Sequence, residues 1–201
     1  MPAVSNLGYA LLTMHGGSDA TGSSALELYV ANPSAWRLVV VVSMLGSMLI
    51  VAGVPAALRV LRPTRPRLSL VGGILMAAGY LAYFGVVTVT ILQIALATNQ
   101  LDAGAAIDAS QADPAALPVF GLFVIGNLLG TFLLALAVVL SRQVAWLAGA
   151  LIMAWPIFHV TGLIVGTEWF AVTGGVLETI GLGMVAVVAL KTPDAVWAAR
   201  G

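Results

Sequence analysis

Residues 59–67 read Arg-Val-Leu-Arg-Pro-Thr-Arg-Pro-Arg, placing four arginines and two prolines between two long apolar runs, 36–61 and 68–98. An arginine at the centre of a hydrocarbon layer costs about 3 kcal/mol even on the mildest scales, so this cluster lies outside the bilayer core. Pro63 and Pro66 lack amide donors and interrupt a helix. The stretch is a polar turn, and the runs on either side are two transmembrane helices.

The rest of the chain agrees. Of 201 residues 61% are hydrophobic and 8% charged, with mean hydropathy +1.07, a composition that no water-soluble surface carries. One span takes about 20 apolar residues, so the length suits five or six spans with no room for a second, soluble domain. Asn32-Pro33-Ser34 opens the first run. The second, as one helix, would be roughly 46 Å long and must tilt or project at its far end. Between 99 and 118, Asp102, Asp108, Asp113, Pro114 and Pro118 mark a polar loop with room for one short surface helix. Three further spans follow at about 117–140, 144–165 and 169–190, separated by Ser141-Arg142-Gln143 and Gly166-Thr167-Glu168. The expected fold is an all-α integral membrane protein, a bundle of about five transmembrane helices over 36–191, with an extracytoplasmic N-terminal segment 1–35 and a tail 192–201.

Alternation through five spans puts Arg59, Arg62, Arg65, Arg67, Arg142, Lys191 and Arg200 at one end and only Arg37 at the other. Loops rich in lysine and arginine are retained in the cytoplasm, so the expected location is a bacterial plasma membrane, N-terminus outside and C-terminus cytoplasmic. Trp36 and Trp169 fall at the outer boundary and Trp146 near the inner one, where amphipathic rings prefer to sit. The apolar stretch 4–14 is half a span and lacks the basic flank of a secretory signal. It lies in the outer interface, or dips into the outer leaflet against the bundle, or is the remnant of a helix whose start lies upstream. The expectation is a short helix over 7–14 with His15 at the outer surface.

Several short motifs are spread along the chain: Leu11-Leu12-Thr13-Met14-His15-Gly16-Gly17, Asn32-Pro33-Ser34-Ala35-Trp36-Arg37, Gly53-Val54-Pro55, Arg67-Leu68-Ser69-Leu70-Val71-Gly72-Gly73, Gly126-Asn127-Leu128-Leu129-Gly130 and Trp155-Pro156-Ile157-Phe158-His159. In these the sequence resembles the small multi-pass membrane proteins common in actinobacteria, the DUF4386-like group. The resemblance implies a helical membrane fold beginning with a complete transmembrane helix, which this chain lacks. It brings no activity with it.

Polar side chains within the spans are the candidate functional residues, because hydrocarbon penalises them unless they are paired. There are four: Gln93, Asn127, His159 and Glu178. At 1.5 Å per residue they sit roughly 8, 15, 9 and 13 Å from the outer ends of their spans. His159 shares a face with Trp155, Gly162 and Gly166, and Glu178 with Gly174, Gly175 and Gly181. Gly126 and Gly130, like Gly162 and Gly166, have the spacing that lets helix backbones approach, and such glycine-rich faces also suit a homo-oligomer. Pro156 frees the carbonyl of Ile152 and is expected to kink its helix. The sharpest expectation is that His159 and Glu178 meet, directly or through one water. The bland alternative is that such a pair only fastens the helices. Tyr80, Tyr83 and the methionines read as packing.

Other chemistry is excluded or unsupported. Net charge is zero, so nucleic acid is not a partner. The chain has no cysteine, which removes disulfides, thiolate catalysis and cysteine-held metals. Two histidines and few carboxylates at membrane depth give no metal site, and bis-histidine haem would need His15 and His159 face to face, so no cofactor is expected. The lipid bilayer is the expected partner. The functional expectation is an outward-facing polar pocket for a small molecule, lipid or proton-linked ligand, in a minor transporter or sensor. The alternatives are a membrane enzyme acting on a lipid or isoprenoid, with Glu178 as acid and His159 as base, and a structural accessory subunit of an envelope complex.

Overall fold

The computed structural model describes residues 2–14 and 19–200; His15, and with it the expectation for its position, lies outside the described residues. Five helices are long and apolar enough to cross a membrane: α3 Pro33–Leu61, α4 Pro66–Thr98, a composite third over Pro114–Ser141, α8 Trp146–Val165 and α9 Trp169–Lys191. The protein is an all-α membrane bundle, with no strand among the described residues. The composite span is a single 3₁₀ turn, then α6 Leu117–Ile125, a π-helical turn Gly126–Gly130 and α7 Thr131–Ser141. Shorter helices are α1 Pro2–Thr13, α2 Gly22–Ala31, α5 Gly104–Ala112 and α10 Asp194–Ala199.

The span ends differ from the sequence reading by a few residues, taken up by caps. Asn32 Oδ1 accepts from the Ala35 amide at 3.4 Å and Pro33 occupies the first turn, so α3 begins at Pro33. Arg142 (φ 57°) and Gly166 (φ 74°) end α7 and α8 in the left-handed conformation that turns the chain back. Gly166 is therefore a cap rather than half of a helix-packing motif, and a Cβ there would meet nothing. α8 stays helical across the buried Pro156.

Seven of the eight basic residues lie at one end of the bundle. There Arg62 Nη1 donates to the Arg200 carbonyl at 3.0 Å and Arg65 Nε to that of Leu140 at 3.2 Å. The core of this half joins Leu61, Met76, Leu134, Ala148, Ile152 and Val185. A second core at the opposite, acidic end joins Tyr29, Trp36, Val40, Val87 and Ile94. Here the 33 residues of α4 outrun a bilayer, and α2 covers the projecting part. A capping box between Thr21 and Ser24 starts α2, and the Gly22 amide donates to Asp108 Oδ1 of α5 at 2.6 Å, closing the cap.

The N-terminal half-span lies against the bundle. α1 packs between α3 and α9, with Tyr9 edge-on to Trp36 at 5.7 Å and Asn6 Nδ2 donating to the Ala171 carbonyl at 3.3 Å. Its 12 residues cover roughly 18 Å, about half a crossing, and it fills only the acidic half of the α3–α9 seam.

Candidate functional site

Beside α1, inside the acidic half, is a cavity of about 80 Å³. α1 contributes Ser5 and Asn6, α3 contributes Ser43 and Ser47, and the remaining walls come from α4, the composite span and α8. Ser47 Oγ donates back to the Ser43 carbonyl of its own helix at 2.9 Å, which is how a hydroxyl on a membrane helix is satisfied locally.

The π turn sets the deepest wall. Gly126 and Gly130 lie so close to α4 that a Cβ on either would strike the backbone of Leu75, Met76 or Gly79. With that contact fixed, the widened turn carries Asn127 into the bundle, buried at 4% exposure. Its Oδ1 accepts from Trp155 Nε1 at 2.7 Å. The Trp155 ring stacks on His159, one turn along α8, with centroids 4.9 Å apart and planes 30° apart. His159 lines the cavity, and its Nδ1 is buried without a hydrogen-bond partner. Also in the lining, Tyr83 stacks on Phe123 at 5.2 Å.

Glu178 is fully buried. Its partner is Tyr80, whose hydroxyl donates to Oε1 at 3.1 Å and Oε2 at 3.3 Å, one proton shared between two oxygens. Tyr80 lines the cavity and Glu178 stands behind it.

His159 and Glu178 make no direct hydrogen bond, contrary to the direct form of the sequence expectation, and the register of the α8–α9 hairpin explains why. A Cβ on Gly174 would touch Trp155 and one on Gly181 would touch Ile152, so Glu178 faces the stretch of α8 between those two residues. His159 lies about six residues further along, roughly 9 Å of helical rise. Gln93, also buried, is nearly three turns beyond the cavity's Tyr83 along α4 and does not line it. Of the four candidates, the structure brings Asn127 and His159 to the cavity, links Glu178 to it through Tyr80, and leaves Gln93 apart.

Tyr80 is the residue that sequence reasoning missed, having been assigned to packing. A signal was present: Gly72, Gly73, Met76 and Gly79 crowd the same side of α4 and mark it as the packed face, and a phenol buried at mid-span needs a partner for its hydroxyl. The glycines on the faces of Asn127 and Glu178 are occupied within the chain: Gly126 and Gly130 by α4, Gly174 and Gly181 by α8, Gly175 by α1. At the acidic end, burial raises the Glu168 carboxyl above its ordinary value and the charge of Asp19 adds to this. Burial, again with Asp19, pushes the Tyr29 hydroxyl up to about 12. Among the described residues no three histidine or carboxylate side chains converge as metal ligands.

No family model, curated protein or solved structure matches the chain.

Proposed function

We propose that the chain binds a small polar solute in the cavity beside α1, with Glu178 exchanging a proton behind Tyr80 when the site fills, as a sensor or minor transporter would. The observation that carries this reading is the buried, unpartnered His159 Nδ1 on a wall that also holds Asn127, Tyr80 and two serines. Buried polar groups are almost always satisfied, so a vacant acceptor or donor on a cavity wall marks a place for a ligand atom or water. The volume restricts the ligand. Sites for drug-sized molecules run to about 300 Å³ or more, whereas about 80 Å³ suits a few heavy atoms or a short water chain. A lipid or isoprenoid does not fit, and Glu178 behind Tyr80 is poorly placed to share a substrate with His159, so the enzyme reading draws no support from this site. The motif resemblance to the DUF4386-like group is compatible with this reading and adds no chemistry.

The test is a titration of intrinsic fluorescence in nanodiscs with acetamide, since Trp155 belongs to the cavity wall. Four heavy atoms at a ceiling of about 1.5 kcal/mol each allow at best a dissociation constant of tens of micromolar, so the titration runs to about 100 mM. A saturable change that His159→Phe abolishes supports the site, and proton uptake on binding that Glu178→Gln abolishes supports the linkage. No saturation in the wild-type chain refutes the reading.

The same reading places the arginine end in the cytoplasm and the cavity in the outer leaflet of a bacterial plasma membrane, on the seven-to-one distribution of basic residues. Because the chain has no cysteine, single replacements report directly: Thr64→Cys should be shielded from an impermeant thiol reagent in intact cells and Gln111→Cys should react. The reverse pattern would invert the protein.

A further inference from the structure

At the arginine end a second cavity, about 580 Å³, opens between the end of α3 and the start of α4. Arg59 of α3, Arg62 at its C-cap and Arg200, just past α10, bring three guanidinium groups to it, Ser69 adds a hydroxyl, and Leu58 and Leu70 are apolar wall. Among the described residues no carboxylate lines it and none of the three arginines makes an ion pair.

The arginines are held in place rather than left to wander. Arg59 lies over the Trp197 ring at 4.9 Å, Arg62 Nη1 donates to the Arg200 carbonyl, and Arg200 Nη2 donates to Gln143 Oε1 at 3.1 Å. Donors are left over: Arg59 Nε and Arg200 Nη1 are buried and have no acceptor. A buried charged donor without an acceptor is costly, and three like charges around one space repel each other, so both facts call for an anion with several acceptor oxygens. A phosphate group meets that need, because guanidinium forks match its oxygens.

Phosphate could come from a lipid or from solution, and the surroundings favour the lipid. The cavity opens on the outside of the bundle, and Leu70 and Ile74, one turn apart on α4 and 50% and 57% exposed, continue from its rim into the apolar zone. That stripe offers an acyl chain a track starting at the headgroup site. We propose that this cavity binds the phosphate headgroup of an anionic phospholipid from the leaflet at the arginine end. The site is independent of the polar cavity in the opposite half.

The test is native mass spectrometry of the full chain with phosphatidylglycerol, phosphatidylcholine or inorganic phosphate. Arg59→Gln/Arg62→Gln should weaken phosphatidylglycerol retention by about thirtyfold, the fold-change for two arginines at about 1 kcal/mol each beside anionic headgroups. Arg67→Gln, at the same end but outside the cavity, should leave retention unchanged, and phosphatidylcholine should bind weakly throughout. Circular dichroism of each variant identifies any that fails to fold, and Arg200→Gln, which spares both transmembrane helices, then takes its place. Equal loss on Arg67→Gln would reduce the effect to general surface charge and overturn the site. Inorganic phosphate displacing the lipid at low millimolar concentration would overturn the lipid as its ligand, and undiminished retention by the Arg59/Arg62 and Arg200 variants would refute the site altogether.

Discussion

Tyr80 and Glu178 should be energetically coupled, and His159 and Glu178 should not. The perturbations are Tyr80→Phe, Glu178→Leu and their combination. In the wild-type chain one phenolic proton serves both carboxyl oxygens, at 3.1 and 3.3 Å, longer than the roughly 2.7 Å preferred by hydroxyl donors. A net hydrogen bond is worth about 1 kcal/mol, and polar pairs measured inside membrane bundles average about 0.6 with a maximum near 1.7. The long, divided geometry takes the lower part of that range, so the expected coupling is about 0.6 kcal/mol. Each single change should cost more than this, about 1–3 kcal/mol, because it leaves a buried polar group without its partner. The assay is unfolding by sodium dodecyl sulfate in mixed micelles, followed by helical circular dichroism. Glu178→Gln retains an acceptor for the Tyr80 proton and should fall well below Glu178→Leu in cost. A parallel cycle with His159→Phe should give less than about 0.5 kcal/mol, the additivity expected of groups that do not touch. Coupling under about 0.3 kcal/mol for Tyr80–Glu178, or a larger value for His159–Glu178, would refute the assignment of partners.

Gly79→Ala should destabilise the bundle by about 1–3 kcal/mol in the same assay, since the added methyl falls on the backbone of Gly126 and Asn127, which cannot give way as a side chain end could. Gly85→Ala on the same helix meets nothing and serves as the neutral comparison. Glu168 supplies a pH dependence. Its folded-state value is raised, chiefly by burial, so the folded state favours the neutral acid; stability is highest below the ordinary carboxylate range and declines as pH rises through it towards the raised value. The melting temperature of Glu168→Gln should therefore gain on wild type between pH 4 and pH 7. A gap that does not change with pH would show that the charge is not responsible.

The spans were legible because the signals that define them are one-dimensional. Arginine clusters, prolines and run lengths fix where a chain can cross hydrocarbon, and α3, α4, α8 and α9 follow them to within three residues. Orientation of one helix against another is not carried by such signals. Gly126 and Gly130 read as a pair one turn apart on an ordinary helix, and as such they do pack on α4; that the turn is π-helical depends on how α4 is placed against it. The depth of His159 and Glu178 counted from their loop suggested an offset of one turn at most. The observed register, Trp155 against Gly174 and Ile152 against Gly181, depends on Gly166 adopting a left-handed cap and on which glycines admit a backbone. Tyr80 escaped notice for a related reason: a phenol has no sequence mark that separates packing from hydrogen bonding, and only the carboxylate arriving from α9 distinguishes them.

The half-span α1 explains why the two halves of the bundle differ. In the acidic half it stands between α3 and α9, and its Ser5 and Asn6 complete the polar cavity. Beyond Pro2 no third helix lies in the same seam among the described residues, and α3 and α9 face each other across an apolar groove of about 410 Å³ whose sides include Gly53, Leu182 and Gly183. Gly46 borders both spaces. Polar groups belong where protein surrounds them, and the open seam, facing the hydrocarbon, has apolar walls that need no partner. The serines follow the same division: Ser43 and Ser47 lie on α3 where α1 covers it, and beyond them α3 has no polar side chain until Arg59. A half helix shelters polar side chains on one side of the midplane only, and it is there that Asn127, Tyr80 and His159 converge.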